Sequence, residues 1–309
     1  MTHPAIRPGQ KHSPASTPRP ATPLVWQSRV LTIAVLSICG AAAALYSARS
    51  WTAVTQCALL LSLTFALAAW RARAATIPAA FAGGVLAAAM FLASAESMNW
   101  LRSALLPLLA VLVLTHLATR FGRRRKERLG AAEDRHGRNA GQVVANLGIA
   151  GLAGGFVLLH TLHTPNSPKP IPPFLRTIHM AMLAAALAEA TADTLSSEIG
   201  QVLGGRPALI TTTERVKPGT DGGITLPGTL AGVGGAAAIA LISMPCLGLG
   251  FHSALDCALA AIAGMFFDSL LGATAERKGL LNNDAVNFLS TLMAAVLTAV
   301  LLGLGRSPR

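Results

Sequence analysis

Residues 177–200 read TIHMAMLAAALAEATADTLSSEIG, and this stretch decides the fold. Its first half has the apolar character of a membrane-crossing helix, which needs about 20 predominantly apolar residues. Its second half carries Glu189 and Asp193 four residues apart, hence on one face of a helix. Two carboxylates so placed repel one another, and in or near a bilayer each is costly, so the pair marks a functional site. A metal ion, a basic residue or a proton is needed to neutralise them.

The rest of the chain agrees with a membrane reading. Of 309 residues, 52% are hydrophobic and 12% charged, against roughly 25% charged in soluble domains. With a mean hydropathy of +0.54, this excludes a disordered chain, a soluble globular enzyme and a fibre. Nine apolar runs are long enough to be counted as spans: 29–47, 52–70, 76–95, 101–119, 143–161, 177–197, 228–248, 252–273 and 286–304. The predicted fold is therefore all-α, a polytopic membrane helical bundle of about nine transmembrane helices. Eight result if the first or third run does not cross.

Charge sets the orientation. Of the 25 Lys and Arg, 19 fall on the N-terminal tail and every second link after it, and 6 on the remaining segments. By the positive-inside rule the N-terminus is cytoplasmic, as are links 120–142, 198–227 and 274–285. The same rule accounts for the net charge of +12, so nucleic acid is not an expected partner and membrane lipids are. Residues 1–28 read as a disordered, basic, Pro-rich tail, and 29–305 as a single transmembrane domain. The cysteines Cys39, Cys57, Cys246 and Cys257 sit in apolar runs without metal-type spacing and read as small buried hydrophobes. The expected location is a bacterial inner (cell) membrane. Glycines 148, 151, 154 and 155, with 228, 232, 234 and 235, read as close helix contacts.

Nine of the 13 acids lie between 189 and 284. A second acidic helix end, Asp268-Ser-Leu-Leu-Gly272-Ala-Thr-Ala-Glu276, runs outside to inside like the first, so Asp193 and Asp268 can share a site. Glu198 stands at the end of the first of these helices. The link Lys217-Pro-Gly219-Thr220-Asp221-Gly222-Gly223 reads either as a backbone N–H nest for an anion or as an ordinary turn, and it lacks the Walker A spacing. Asn282-Asn283-Asp284-Ala-Val-Asn287 enters the last helix, where Asp284 or Asn283 serves as a cap and Asn287 lies a turn further in. Gly137-Arg138-Asn139-Ala-Gly141-Gln142, followed by Asn146, enters the fifth helix. The basic run 123–128 before it reads as an orientation signal or a contact with anionic lipid. All five polar motifs fall on cytoplasmic links. Carboxylates for a metal, Lys and Arg for phosphate and a glycine loop are the parts phosphoryl transfer requires. A site at the membrane surface suits a substrate with a phosphate head and a hydrocarbon tail.

These segments are similar to those of the transmembrane protein 19-like family, an integral membrane family that contains the plant phytyl-phosphate kinases. They are GRNAGQVVAN (137–146), ATADTLSSEIG (190–200), ITTTERVKPGTDGGITLPGT (210–229), DSLLGAT (268–274) and NNDAVNFLST (282–291). They follow the family's order, and the resemblance spans about residues 50–305. Leu147 departs from the pattern, which leads one to expect glycine there. The resemblance implies a kinase that converts a polyprenyl or phytyl monophosphate to the diphosphate. Its donor would be a nucleoside triphosphate, with CTP favoured. It further implies Mg²⁺ at Asp193 and Asp268, helped by Glu189 or Glu198, with Asp284 a further catalytic carboxylate. Phosphates would lie on Arg138, Lys217 and the segment Gly219, Thr220, Asp221, Gly222, Gly223. Asn139, Asn146, Asn283 and Asn287 would orient the nucleotide. A competing reading is a proton- or cation-coupled transporter using Glu189, Asp193 and Asp268, which predicts a site near the bilayer midplane. Others are a different lipid-phosphate transferase, such as a cytidylyltransferase, and a non-catalytic scaffold.

Overall fold

Long apolar stretches become helices here because their breakers fall at the ends. Pro78, Pro173 and Pro227 each occupy a first turn, where the missing N–H has no partner to lose. Thr52, Thr76 and Thr225 accept from the backbone N–H groups of Thr55, Ala79 and Gly228, which satisfies one orphan donor per helix. The computed structural model describes residues 24–129, 137–163 and 171–304. Residues 1–23 of the expected tail, with Arg7, Lys11 and Arg19, lie outside the described residues.

The helices are α1 Val25–Arg49, α2 Ala53–Arg71, α3 Ile77–Ser94, α4 Leu105–Arg120, α5 Arg123–Leu129, α6 Ala140–His163, α7 Pro173–Leu203, α8 Leu226–Cys246, α9 Phe251–Leu271 and α10 Asn283–Leu304. Each of the nine apolar runs is thus a helix. Seven are long and apolar enough to cross a membrane by length and composition. The other two depart from the simple pattern for different reasons. α4 has only 16 residues, because a 3₁₀ turn at Trp100–Arg102 takes up the start of its run. α7 has 31 and is about 46 Å long, well beyond a hydrocarbon core of roughly 30 Å; it carries Arg176, Glu189, Asp193 and Glu198. α5 was not expected: the basic run is a helix of seven residues. One two-residue antiparallel ladder joins β1 (Ala208–Leu209) to β2 (Gly223–Ile224), a small exception to the all-α reading.

α7 is the centre of the bundle and packs against α4, α6, α8, α9 and α10. Residues 183–192 are buried on every side, as expected of a helix enclosed by others. Alanine dominates the interior, with Ala87, Ala88 and Ala89 on α3 and Ala184, Ala185 and Ala186 on α7. Small residues let backbones approach closely. A Cβ on Gly154 would come 2.9 Å from the Ala89 carbonyl oxygen, and one on Gly232 2.8 Å from that of Ala192. By contrast Ile33, Leu60, Phe81, Leu117, Phe156 and Leu230 point outward and are exposed. An apolar exterior on this scale marks the bilayer as the solvent. All four cysteines are unpaired, and Cys39, Cys246 and Cys257 are buried.

Successive long helices alternate in direction, which gathers one set of ends. There the start of α1 meets the start of α10, with Gln27 Nε2 donating to the Leu280 carbonyl at 3.0 Å. The α2–α3 turn meets the entry to α6, with Arg138 N–H donating to the Ala74 carbonyl at 3.0 Å and Thr76 N–H to the Arg138 carbonyl at 3.0 Å. At the opposite end Arg176, starting α7, donates to the Ala93 carbonyl closing α3 at 3.0 Å and pairs with Glu96 at 2.8 Å.

Candidate functional site: an acidic cavity at one end of the bundle

A polar cavity of about 260 Å³ opens where the ends of α7 and α9 meet the starts of α6 and α10 and the link 204–225. α7 supplies Asp193, Ser197 and Gln201, and α9 supplies Asp268 and Ser269. Beyond Asp268, Gly272–Glu276 forms a π-helical turn, a device often found at functional sites, and it carries Glu276 into the wall. Arg138 and Asn146 close the α6 side, and Asn283 and Asn287 the α10 side.

The link 204–225 is held by the β1–β2 ladder and by Ile210 N–H donating to the Gly222 carbonyl at 3.0 Å. Gly219, Thr220, Asp221, Gly222 and Gly223 all line the cavity. Gly222 has φ +77°, and a Cβ there would lie 2.6 Å from the Ala273 nitrogen. The glycine therefore both turns the chain and lets it lie against the π turn. Gly222→Val would cost about 1–3 kcal/mol of local stability and lift this link off α9. Trypsin cleavage after the exposed Arg215 would be roughly tenfold faster or more, with the helices intact. Unchanged cleavage would show that the link does not depend on this contact. At the cavity mouth, partial desolvation holds the Asp221 carboxyl above its ordinary range, opposed by the nearby Arg277 charge.

Five carboxylates line the cavity among the described residues, Asp193, Glu198, Asp221, Asp268 and Glu276, against the single basic residue Arg138. Arg138 Nη2 donates to Thr194 Oγ1 at 3.2 Å, and its charge acts on Asp193. Glu198 is already matched, by the ammonium of Lys126, which is 1% exposed and also donates to the carbonyls of Ala118 (3.1 Å) and Thr119 (2.6 Å). The basic run is thus pinned to α7 through its one buried lysine, which the lipid-contact reading did not anticipate.

Glu189 lies one helical turn deeper than Asp193, outside the cavity lining and 1% exposed. Its Oε1, Asp268 Oδ2 and Gln201 Oε1 are buried without a hydrogen-bond partner. Buried acceptors without donors are rare, and two at the cavity, on Asp268 and Gln201, with that of Glu189 a turn deeper, fit a cation or a proton. Among the described residues, no three His, Cys, Asp or Glu side chains converge on a ready-made metal cage. Mg²⁺ is usually held by one or two carboxylates, water and substrate phosphates. Asp193 and Asp268 fit such a role.

Several sequence-predicted residues stand elsewhere. Lys217 is exposed and outside the cavity. Asn139 caps α6: its Oδ1 accepts from Gln142 N–H at 3.0 Å while Gln142 Oε1 accepts from Asn139 N–H at 2.8 Å, the reciprocal pattern of a capping box. The cap of α10 is Asn282, which accepts from Ala285 N–H at 2.8 Å, rather than Asn283 or Asp284. Asp284 accepts from the Ser28 hydroxyl at 2.6 Å and lines a separate cleft between α1, α6 and α10. Gln201 and Ser269 were missed because neutral side chains at helix ends carry no signal above ordinary solvation, and Gln142 stood in the polar motif entering the fifth helix without an assigned role. Glu276 was visible as the third member of the Asp268, Gly272, Glu276 spacing.

A family profile described as integral membrane protein DUF92 matches residues 60–295. The chain is 47% identical over 114 residues to an uncharacterized membrane protein of Methanocaldococcus jannaschii, covering 37% of this chain and 47% of that one. It is 30% identical over 193 residues to an uncharacterized membrane protein of Synechocystis sp., covering 62% and 71%. It is 29% identical over 198 residues to Protein VTE6, chloroplastic, of Arabidopsis thaliana, covering 62% and 56%. The chain thus spans about half the length of the archaeal and plant relatives. No solved structure matches.

Proposed function

The chain belongs to the integral membrane family DUF92, and on that premise we propose that it is a membrane-embedded kinase that phosphorylates an isoprenoid lipid monophosphate. Membership bears out the likeness to the transmembrane protein 19-like family read from the five segments. The observation that carries the proposal is the meeting of Asp193 and Asp268, from helices that run the same way and end at the same side, beside Arg138 and a glycine-rich link, with Asp268 Oδ2 buried and unpartnered.

Asp193 and Asp268 would hold Mg²⁺, which when bound neutralises the charge of the donor's β- and γ-phosphates. The N–H groups of Gly219, Asp221 and Gly222 and the Arg138 guanidinium hold phosphate oxygens, those of Thr220 and Gly223 being donated to the Lys217 and Thr220 carbonyls within the link, while Asn146, Asn283 and Asn287 orient the nucleotide. CTP is the favoured donor by family resemblance. An oxygen of the lipid phosphate attacks the γ-phosphorus, the bond from that phosphorus to the β-bridging oxygen breaks, and nucleoside diphosphate leaves. The acceptor is already anionic, so no strong base is required, and catalysis is mainly positioning and charge compensation. The site faces the cytoplasm of a bacterial inner membrane, on the side that collects 19 of the 25 Lys and Arg.

The test is transfer by the purified full chain in detergent. It offers phytyl, farnesyl and geranylgeranyl monophosphates with labelled CTP, UTP, ATP or GTP, with and without Mg²⁺. Label from the γ position should enter lipid diphosphate only with Mg²⁺. Label from the α position of CTP entering lipid would instead identify a cytidylyltransferase. Folded protein that transfers neither would overturn the kinase reading and leave the buried Glu189 to a proton- or cation-coupled transporter.

A further inference from the structure

We propose that a second cavity, between α2, α3, α4 and α6, takes the hydrocarbon chain of a single-chain lipid phosphate and presents its phosphate to the acidic cavity through Arg138. As the acceptor site of the kinase this rests on the function proposed above; as a lipid-phosphate site it stands on geometry.

The second cavity has about 400 Å³, within the roughly 300–1,000 Å³ of small-molecule sites. Its character is the reverse of the first. The walls are apolar, with Phe65, Gly83, Leu108, Val111, Val143 and Leu147 among them. The mouth is basic: Arg73, Arg120, Arg123 and Arg138 stand there with His116. Glu127 is the one acid among the described lining residues, and it pairs with Arg123 at 3.1 Å. An oily interior under an arginine rim is complementary to an anion on a hydrocarbon chain. A neutral lipid would make no use of the positive charge of the rim, and a free anion would leave the walls uncovered.

Two residues, Arg138 and Asn146, line both cavities. Arg138 is fixed on this boundary by its backbone bridge to the α2–α3 turn and by Thr194 on α7. A phosphate on the basic rim therefore sits beside the carboxylates of the other cavity. Arg73 is one of two described non-glycine residues with positive φ, at +55°. It closes α2 as a left-handed cap, with Ala74 N–H donating to the Ala69 carbonyl at 2.9 Å, and this turn sets the Arg73 cation at the mouth.

The experiment uses purified full-length protein in non-ionic detergent, without nucleotide. A photoreactive hexadecyl phosphate is cross-linked and the adducts are mapped. They should concentrate on the walls, and hexadecyl phosphate should compete at least tenfold better than hexadecanol or inorganic phosphate. Gly83→Ala should retain labelling, since its Cβ would lie 3.7 Å from Val143 Cγ1, whereas Gly83→Leu should reduce it tenfold or more. Arg73→Ala with Arg120→Ala should weaken competition by a similar factor. Adducts spread over outward residues such as Leu60 and Leu117, or competition by phosphate or hexadecanol equal to that of the alkyl phosphate, would overturn the proposal. Because nucleotide is absent, cleft labelling without any transfer activity would sink the kinase reading alone. Transfer with adducts elsewhere would sink the cleft alone.

Discussion

Asp268→Asn will sharply reduce phosphoryl transfer and at the same time raise the temperature at which the protein unfolds. The two effects have one origin. Asp268 feels the charges of Asp193, Glu189 and Glu276, and one of its oxygens has no hydrogen-bond partner. Without a cation this arrangement opposes folding. Asparagine keeps the shape, removes a charge and brings a donor to an acceptor-rich place. Stability should rise by about 0.5–2 kcal/mol, the usual gain when a functional site is relaxed. Transfer should fall on the order of 10²–10³-fold, as when one preorganised electrostatic group is lost. Thermal unfolding in detergent and the transfer assay read the two quantities on the same preparation. Loss of stability with activity retained would make Asp268 a structural hydrogen-bonding residue and remove it from the site.

Lys126→Ala will destabilise the protein more than any other substitution in the basic run. All three ammonium protons are used, on Glu198 and on the carbonyls of Ala118 and Thr119. Removing the lysine leaves the Glu198 carboxylate buried without its counter-ion, which costs about 3–5 kcal/mol. Lys126→Met combined with Glu198→Gln should recover most of that loss, because neither charge is then stranded. Alanine at Arg124, Arg125 or Arg128 should stay within about 0.5 kcal/mol. Equal effects across the run would return it to the role of lipid contact.

The spans were legible in the sequence because a bilayer fixes helix length, and nine runs near 20 residues became nine helices among the described residues. The shared acidic site was legible for a related reason. Alternating helices must return to the same side, so Asp193 and Asp268, each near the end of an outside-to-inside run, had to meet. What stayed hidden depends on pairings across long separations. Lys126 and Glu198 are 72 positions apart, and nothing in RRRKER distinguishes the lysine that turns inward from neighbours that face out. Ser28 and Asp284 are 256 apart, so Asp284 read as a catalytic acid while its oxygen was taken by α1. Arg73 and Arg120 are isolated arginines in separate segments, and only the packing of α2, α3, α4 and α6 makes them one rim.

Both cavities open at the same end of the bundle, and they have Arg138 and Asn146 in common. On the proposed reading the lipid enters from one leaflet, reacts there and is released to that leaflet, while its chain need never pass through the protein. A lipid monophosphate made in the opposite leaflet is out of reach until something else turns it over. The product pool is equally one-sided. The enzyme would therefore build a compositional asymmetry between the two halves of the membrane simply by working, with no transport step of its own.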